Sequence, residues 1–192
     1  MEEKAALVIV DVQNDFCPGG SLPVTEGDKV VAVLNRHIEK FFSAALPIFA
    51  TRDWHPANTR HFNTGGGQWP PHCVQNTEGG KFHPDLALPK SAVIVSKGVS
   101  ADADSYSGFE ATDAAGAGLA ERLRGLGVER IFVGGLATDY CVKFTVLDGL
   151  KEGFKVTLIE DAVRGVNLRP SDSTQAIEEM VRAGADRSTA SI

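Results

Sequence analysis

The chain has 192 residues, a length that fits one domain, and its 43% hydrophobic and 23% charged residues are typical of a folded globular protein. Its formal net charge is −6 at pH 7 and no basic cluster is visible, which argues against nucleic acid or an anionic membrane as the main partner. The apolar run Ala5–Val10 is too short to span a membrane, and three cysteines favour a reducing compartment, so we expect one cytoplasmic domain over residues 1–192.

Apolar runs rich in β-branched residues alternate with helical periods along the chain. Strands are predicted over 5–10, 46–51, 92–96, 128–134 and 155–159, and helices over 28–45, 119–126, 138–151 and 171–183. This alternation predicts an α/β fold, with a mostly parallel open sheet of about six strands in a three-layer αβα arrangement.

Two long stretches, 52–90 and 98–113, interrupt this alternation and show little periodicity. The first contains the aromatic residues Trp54, Phe62, Trp69 and Phe82, which a disordered linker would rarely contain. Loops of this length in a small domain are usually functional, so we expect the first to be an ordered functional loop.

Reactive side chains follow four of the predicted strands. Asp11, Asp53 and Lys97 come at or just after the first three strands, and Cys141 follows the fourth. Because ligands bind outside the carboxyl ends of parallel strands, we expect these side chains to converge at one edge of the sheet.

The context of Cys141 is typical of a nucleophile. It lies in GGLATDYC, where two glycines end a strand and a helix is expected to begin. The positive end of the helix dipole and a nearby Lys97 would both favour the thiolate, and Asp11 could accept the proton. Cys17 and Cys73 lack such a context and are interpreted as structural.

Four of the five histidines, His55, His61, His72 and His83, fall within one stretch of the long loop. Asp53, His55, His61 and His72 form a set of oxygen and nitrogen donors suited to Zn²⁺, Mn²⁺ or Fe²⁺. Ordinary hydrogen-bonding histidines on a surface loop are the alternative. We interpret His83 as structural and His37 as a solvated or capping residue.

Six motifs give a more specific indication. They are LVIVDVQNDFCPGGSL around Asp11, TRDWHP around Asp53, WPPHCVQNT around His72, SKG at Lys97, YSGFE from Tyr106, and VGGLATDYCV through Cys141. In these motifs, which span roughly residues 5–161, the chain resembles the cysteine hydrolases of the isochorismatase-like superfamily, and within them the nicotinamidases.

The resemblance implies an Asp11–Lys97–Cys141 triad and one divalent metal ion, Zn, Fe or Mn, held by Asp53, His55 and His72, with His61 as a fourth ligand in some relatives. It also implies a cis peptide at Leu136–Ala137, an oxyanion hole at the amides of Ala137 and Cys141, and a substrate pocket lined by Phe16, Trp69 and Tyr106. The implied reaction converts nicotinamide, and also pyrazinamide, to the acid and ammonia through a cysteine thioester. The partner is thus a small aromatic amide.

Other functions have to be weighed against this one. A hydrolase of the same superfamily that acts on ureido, carbamoyl or enol-ether substrates would keep the triad but not need the metal site. A phosphoacceptor receiver domain shares the strand-end aspartates and lysine, yet it explains neither Cys141 nor the histidines. A dinucleotide-binding fold is disfavoured because no GxGxxG follows the first strand. The sequence leaves open whether the chain forms a homo-oligomer.

Overall fold

Six strands form one sheet in a computed structural model that describes residues 3–102 and 104–189. The ends of the predicted 1–192 domain therefore lie outside the described residues. The strands are β1 (Ala5–Val10), β2 (Ile48–Asp53), β3 (Val93–Lys97), β4 (Arg130–Leu136), β5 (Lys155–Arg164) and β6 (Asp186–Ser188). Their order is β3-β2-β1-β4-β5-β6, and every described pair is parallel. The predicted parallel sheet is confirmed.

Four α-helices cover the two faces of the sheet: α1 (Lys29–Ser43), α2 (Leu119–Gly125), α3 (Lys143–Lys151) and α4 (Asp172–Arg182). Successive residues of β1 point to opposite faces. Leu7 and Ile9 pack with the buried stripe of α1, whereas Ala6 and Val8 pack in the core beneath the other three helices. This gives the three layers predicted from the alternation of elements.

Several boundaries differ from the sequence prediction. β2 runs over Ile48–Asp53 rather than 46–51, and β5 continues to Arg164. The short β6 was not predicted because its three polar and partly exposed residues carry no hydrophobic signal. The predicted helix 138–151 is divided, because Thr138–Val142 forms a π-turn before α3 begins.

The expectation for His37 is wrong. Its side chain is 3% exposed and belongs to the buried face of α1, together with Leu34 and Phe41. A histidine is polar enough to suggest a solvated position, but its helical spacing from Leu34 places it on the apolar stripe.

Among residues 3–102 and 104–189, no helix combines the length and the hydrophobicity needed to cross a bilayer. Because the strands are parallel, the carboxyl ends of β1, β2, β3 and β4 lie side by side at one edge of the sheet. That edge carries the candidate site.

Candidate active site and metal centre

The predicted reactive residues meet at the carboxyl edge of the sheet. Asp53 and Lys97 end β2 and β3 in register with each other, Asp11 directly follows β1, and Cys141 lies in the turn after β4. The Lys97 ammonium is 2.9 Å from Asp11 Oδ2 and 3.5 Å from Cys141 Sγ, and it also contacts Asp53 Oδ1. One lysine thus connects two carboxylates and a thiol.

These four side chains are withdrawn from solvent, since none is more than 6% exposed. Thr51 supports the arrangement from β2, because its hydroxyl donates a 2.6 Å hydrogen bond to Asp11 Oδ1. Charges buried this deeply interact strongly, so removing any one of them would leave another without a partner.

The buried charges set each other's pKa values. Burial opposes the charged form of Lys97, but Asp11 and Asp53 outweigh it and hold the pKa of the ammonium well above its ordinary value. Burial raises the pKa of Asp11, and the Lys97 charge offsets only part of the effect. Burial alone would raise the pKa of Asp53 as well, yet the Lys97 charge and the neighbouring His55 and His72 rings lower it well below its ordinary value. Lys97 and Asp53 are therefore ionised at neutral pH.

The expected Cys141 thiolate is not what the structure favours. Burial raises the pKa of the Cys141 thiol well above its ordinary value, the Lys97 charge offsets part of this, and the Asp11 charge adds to it. A raised pKa favours the neutral thiol as the resting form. The Lys97 charge and a helix dipole would favour the thiolate, but Cys141 lies in a π-turn and beside two buried carboxylates. The thiol needs a base in order to react.

The turn that carries the thiol has an unusual local structure. We call Thr138–Val142 the nucleophile turn; it follows a cis peptide bond between Leu136 and Ala137, the bond implied by the resemblance. The Ala137 carbonyl accepts hydrogen bonds from the amides of Tyr140 and Val142, both at 3.1 Å. Ala137 and Cys141 are both buried.

Next to this cluster lie His55, His61 and His72. These residues are 0%, 7% and 2% exposed, and one ring nitrogen from each lies within 4.8 Å of the others. Asp53 Oδ2 faces the group, at 3.6 Å from His55 Nε2 and 3.8 Å from His72 Nε2. The structure therefore brings together all four residues predicted as metal ligands.

Hydrogen bonds on the far side of two rings fix their orientation. The Nδ1 atoms of His55 and His72 lie 3.1 Å from the Gly98 carbonyl and 2.7 Å from the Pro70 carbonyl. Since a carbonyl only accepts, each Nδ1 carries the proton and each Nε2 presents a lone pair. Position 98 has to be glycine, because its φ is +62° and a Cβ there would lie 2.3 Å from His55 Cε1.

The third ring is oriented by a carboxylate, because His61 Nδ1 contacts Asp104 Oδ1. Asp104 is itself 65% exposed and lies on the loop that follows β3. Histidine ligands of metals commonly donate to a carboxylate or carbonyl in this way.

The four side chains fit a divalent cation. Among residues 3–102 and 104–189 no hydrogen-bond partner reaches the buried His55 Nε2, an atom that a ligand would otherwise satisfy. The 3.6 and 3.8 Å separations from Asp53 Oδ2 exceed a hydrogen bond. They match two ligand atoms that share one ion at roughly 2.1 Å each. Asp53 belongs to both clusters, with Oδ1 on Lys97 and Oδ2 towards the histidines.

The three predicted pocket aromatics surround this site. Phe16 packs against His72 with ring centroids 5.4 Å apart, and Trp69 Nε1 donates a 3.0 Å hydrogen bond to the Tyr106 hydroxyl. Tyr140, which sequence reasoning did not select, contacts Trp69 with ring centroids 5.1 Å apart. A cavity of about 180 Å³ is lined in part by His61 and Trp69.

Sequence reasoning also missed residues that act on the site through the backbone. The Gln13 amide nitrogen donates to the carbonyl oxygens of Asp53 and Gly80, and its oxygen accepts from the Asp53 amide. Its side chain is fully buried. The only sign in the sequence is that Gln13 is a polar residue shortly after a buried strand. Spacing alone does not indicate which residue its side chain contacts.

Comparisons with known proteins agree with this geometry. A family model described as an isochorismatase domain matches residues 5–191. The chain is 45% identical to the nicotinamidase of Escherichia coli, with 94% of the chain and 92% of that protein covered. It is 40% identical to the nicotinamidase/pyrazinamidase of Mycobacterium tuberculosis, with 94% and 96% covered. The crystal structure of pyrazinamidase of Pyrococcus horikoshii in complex with zinc matches with a TM-score of 0.90 at 49% identity, covering 97% of this chain and 99% of that one.

Proposed function

The chain belongs to the isochorismatase family, and we propose that it is a metal-dependent nicotinamidase that hydrolyses nicotinamide, and also pyrazinamide, to the corresponding acid and ammonia. One observation carries this proposal. A buried cysteine, lysine and aspartate adjoin a buried Asp–His₃ set, and the Asp53 carboxylate contacts both groups.

In the first half of the proposed reaction Cys141 is the nucleophile. Asp11 accepts the thiol proton as Sγ attacks the carboxamide carbon, and the amides of Ala137 and Cys141 hydrogen bond the oxyanion. Such a donor contributes roughly 2.7–4 kcal/mol. Asp11 then gives the proton to the amide nitrogen, the carbon–nitrogen bond breaks, and ammonia leaves behind a thioester on Cys141.

In the second half Asp11 acts as a base again. It takes a proton from a water molecule whose oxygen attacks the thioester carbon. When the carbon–sulfur bond breaks, the proton returns from Asp11 to Cys141, and the carboxylic acid leaves. Lys97 stays protonated throughout, as its raised pKa requires, and keeps Asp11 and Cys141 in position.

We propose that Asp53, His55, His61 and His72 hold one divalent ion, with zinc favoured by the relative that binds it. Bound there, the ion would supply a Lewis-acid contact to the pyridine-type ring nitrogen, directly or through water. Phe16, Trp69 and Tyr106 would pack against the ring. Because that contact would be to the ring and not to the amide, it would serve to orient the carboxamide over Cys141.

A superfamily hydrolase acting on ureido or carbamoyl compounds remains the second candidate. Only the Asp11–Lys97–Cys141 triad favours this second candidate. Hydrolysis of such substrates does not require a metal ion, so it would not explain the buried histidines. The three outer acceptors on the histidine Nδ1 atoms, from Gly98, Pro70 and Asp104, support the metal-dependent reading instead.

Ammonia release from nicotinamide tests the proposal. We expect the zinc-loaded wild type and a Cys17→Ala control to release ammonia, and Cys141→Ala to release none while retaining zinc. Cys17 is a suitable control because it is also buried, and its thiol pKa is raised to about 11 by burial and by Asp28. If the zinc-loaded wild type releases no ammonia, the substrate assignment is wrong.

We also propose a cytoplasmic location. Cys17, Cys73 and Cys141 are all free thiols in the structure, as expected in a reducing compartment.

A further inference from the structure

The segment that follows β5 has no role in the chemistry described above, yet it adjoins the nucleophile turn. We call residues 165–171 the brace loop. The Asp139 carboxylate, 8% exposed, accepts a hydrogen bond from the Val166 amide at 2.9 Å through Oδ1 and from the Asn167 amide at 2.8 Å through Oδ2. Both carboxylate oxygens are thus used to connect the turn to the loop.

The brace loop is itself firmly held. Asn167 adopts a φ of +53°, which asparagine tolerates better than most residues, and its side-chain oxygen accepts from the Ser173 amide at 2.9 Å. Gly165 lets the loop lie close to its neighbours, because a Cβ there would be 1.9 Å from Ser173 Oγ and 3.0 Å from Asp139 Oδ1 and would force the Ser173 side chain to move. The loop is therefore a fixed anchor between β5 and the first turn of α4.

The nucleophile turn needs an external anchor because it is not a regular helix. Tyr140 has φ −126° and ψ −105°, outside the helical region, and the amides of Tyr140 and Val142 share one acceptor, the Ala137 carbonyl. Asp139 lies two residues before Cys141, so a movement of its backbone displaces Sγ. The adjacent strand ends, where Leu136 pairs with Arg164, place turn and loop side by side.

We propose that Asp139 is a positioning residue, whose carboxylate fixes the nucleophile turn to the brace loop and so sets the position of Cys141 Sγ against Lys97 and Asp11. This inference rests on the proposed function only for its kinetic consequence. The groups that would bind the substrate ring, which include His72, Phe16 and Trp69, lie on other segments. Loss of the carboxylate therefore affects the chemical step and leaves substrate binding in place.

Asp139→Asn tests this, with Asp172→Asn as its matched control. The asparagine keeps one acceptor and turns an NH₂ group towards the second amide. Asp172 undergoes the same change and lines the same surface cavity as Asp139, but its Oδ2 accepts a hydrogen bond from the Arg169 amide within the brace loop. We expect kcat of Asp139→Asn on nicotinamide to fall roughly 100-fold, the effect of about 1 Å of misplacement, with KM and zinc content within twofold of wild type. Asp172→Asn should retain wild-type kcat.

Crystal structures of the same variants give a readout that does not depend on the substrate. The Lys97 Nζ–Cys141 Sγ distance is 3.5 Å in the wild type. We expect this distance to be longer in Asp139→Asn and unchanged in Asp172→Asn. If wild type releases no ammonia, the proposed function fails while this distance still tests the positioning role. If Asp139→Asn does not fold, Asp139→Glu replaces it, because glutamate retains both acceptor oxygens but displaces them by one methylene group. Its kcat and its Lys97 Nζ–Cys141 Sγ distance then test the positioning role. Unchanged kcat and an unchanged distance in the folded variant would overturn the proposal.

Discussion

The side chain of Gln13 hydrogen bonds both backbone polar groups of Asp53, at 2.8 Å to the carbonyl oxygen and 2.8 Å from the amide nitrogen. It thereby continues the pairing of β1 and β2 past the point where the β1 backbone turns away at Asp11, whose φ is +48°. A side-chain amide thus fixes the residue whose carboxylate joins the lysine cluster and the histidine cluster.

We expect Gln13→Met to weaken zinc binding by about 10–100-fold, because an outer support of the Asp53 ligand is lost. Buried polar groups of Asp53 and Gly80 also lose their partner, so the free energy of unfolding should fall by about 2–4 kcal/mol. Zinc competition with a chelator and urea unfolding measure the two effects. Gln75→Met is the control, since its Nε2 donates instead to the Trp54 carbonyl, at 2.9 Å. Equal zinc affinities for the two variants would contradict this role.

The sequence predicted those parts of the site that depend on strand order. Asp11, Asp53 and Lys97 follow apolar runs whose length and β-branched residues identify buried strands, and parallel order then brings their ends together. The convergence seen in the structure needs no further information. The histidine cluster could be suspected from its density in one loop, but its closure depends on how that loop folds.

What the sequence could not predict depends on local competition between interactions. The 138–151 segment has helical periodicity throughout, yet the turn that carries Cys141 becomes a π-turn. The protonation state of Cys141 cannot be predicted from the sequence, because it depends on burial and on the distances from the thiol to one cation and two carboxylates. Gln13 and Asp139 act through backbone groups far away in sequence, which periodicity does not reveal.

The raised pKa of Cys141 predicts an unusual response to removal of the base. The negative charge of Asp11 disfavours the thiolate, so Asp11→Asn should lower the pKa of the Cys141 thiol while it abolishes hydrolysis. The rate of Cys141 alkylation by iodoacetamide, followed by peptide mass spectrometry over pH 6–10, should therefore shift towards lower pH in the variant. A shift in the opposite direction, or retained hydrolysis, would show that Asp11 is not the neighbouring base.

Loss of a histidine ligand should separate binding from chemistry. We expect His72→Ala to lose its zinc and to raise KM for nicotinamide at least tenfold, because the ring nitrogen is no longer held. Treatment of the wild type with a chelator should likewise remove zinc and raise KM, and added zinc should restore the original KM. His83→Ala is a control outside the cluster, where Nδ1 accepts from the Asp85 amide. Full activity of metal-free wild type would refute the orienting role.

Buried His37 should make stability depend on pH. Burial lowers its pKa, partly offset by Asp161, while Lys40 and Arg36 add to the lowering, and neither ring nitrogen has a hydrogen-bond partner among residues 3–102 and 104–189. Because the unfolded chain binds the proton more readily, the free energy of unfolding falls as pH decreases below about 6.5, by at most about 1.4 kcal/mol per pH unit.

Urea unfolding of wild type and His37→Gln between pH 5 and 7.5 measures this contribution. The variant should lose part of the pH dependence, whereas His83→Gln, a change at a partly exposed histidine, should keep it. Parallel curves for wild type and His37→Gln would mean that His37 does not contribute.

Two aspartates on one loop offer a final comparison. Asp104 contacts His61 Nδ1, whereas Asp102 pairs with exposed Arg60 at 3.2 Å. Asp104→Ala frees the His61 ring, and we expect zinc affinity to fall about tenfold with no loss of folding stability beyond about 1 kcal/mol. Asp102→Ala should leave zinc affinity within twofold of wild type. Isothermal titration of the zinc-free proteins measures both, and equal affinities for the two variants would mean that Asp104 does not orient the His61 ligand.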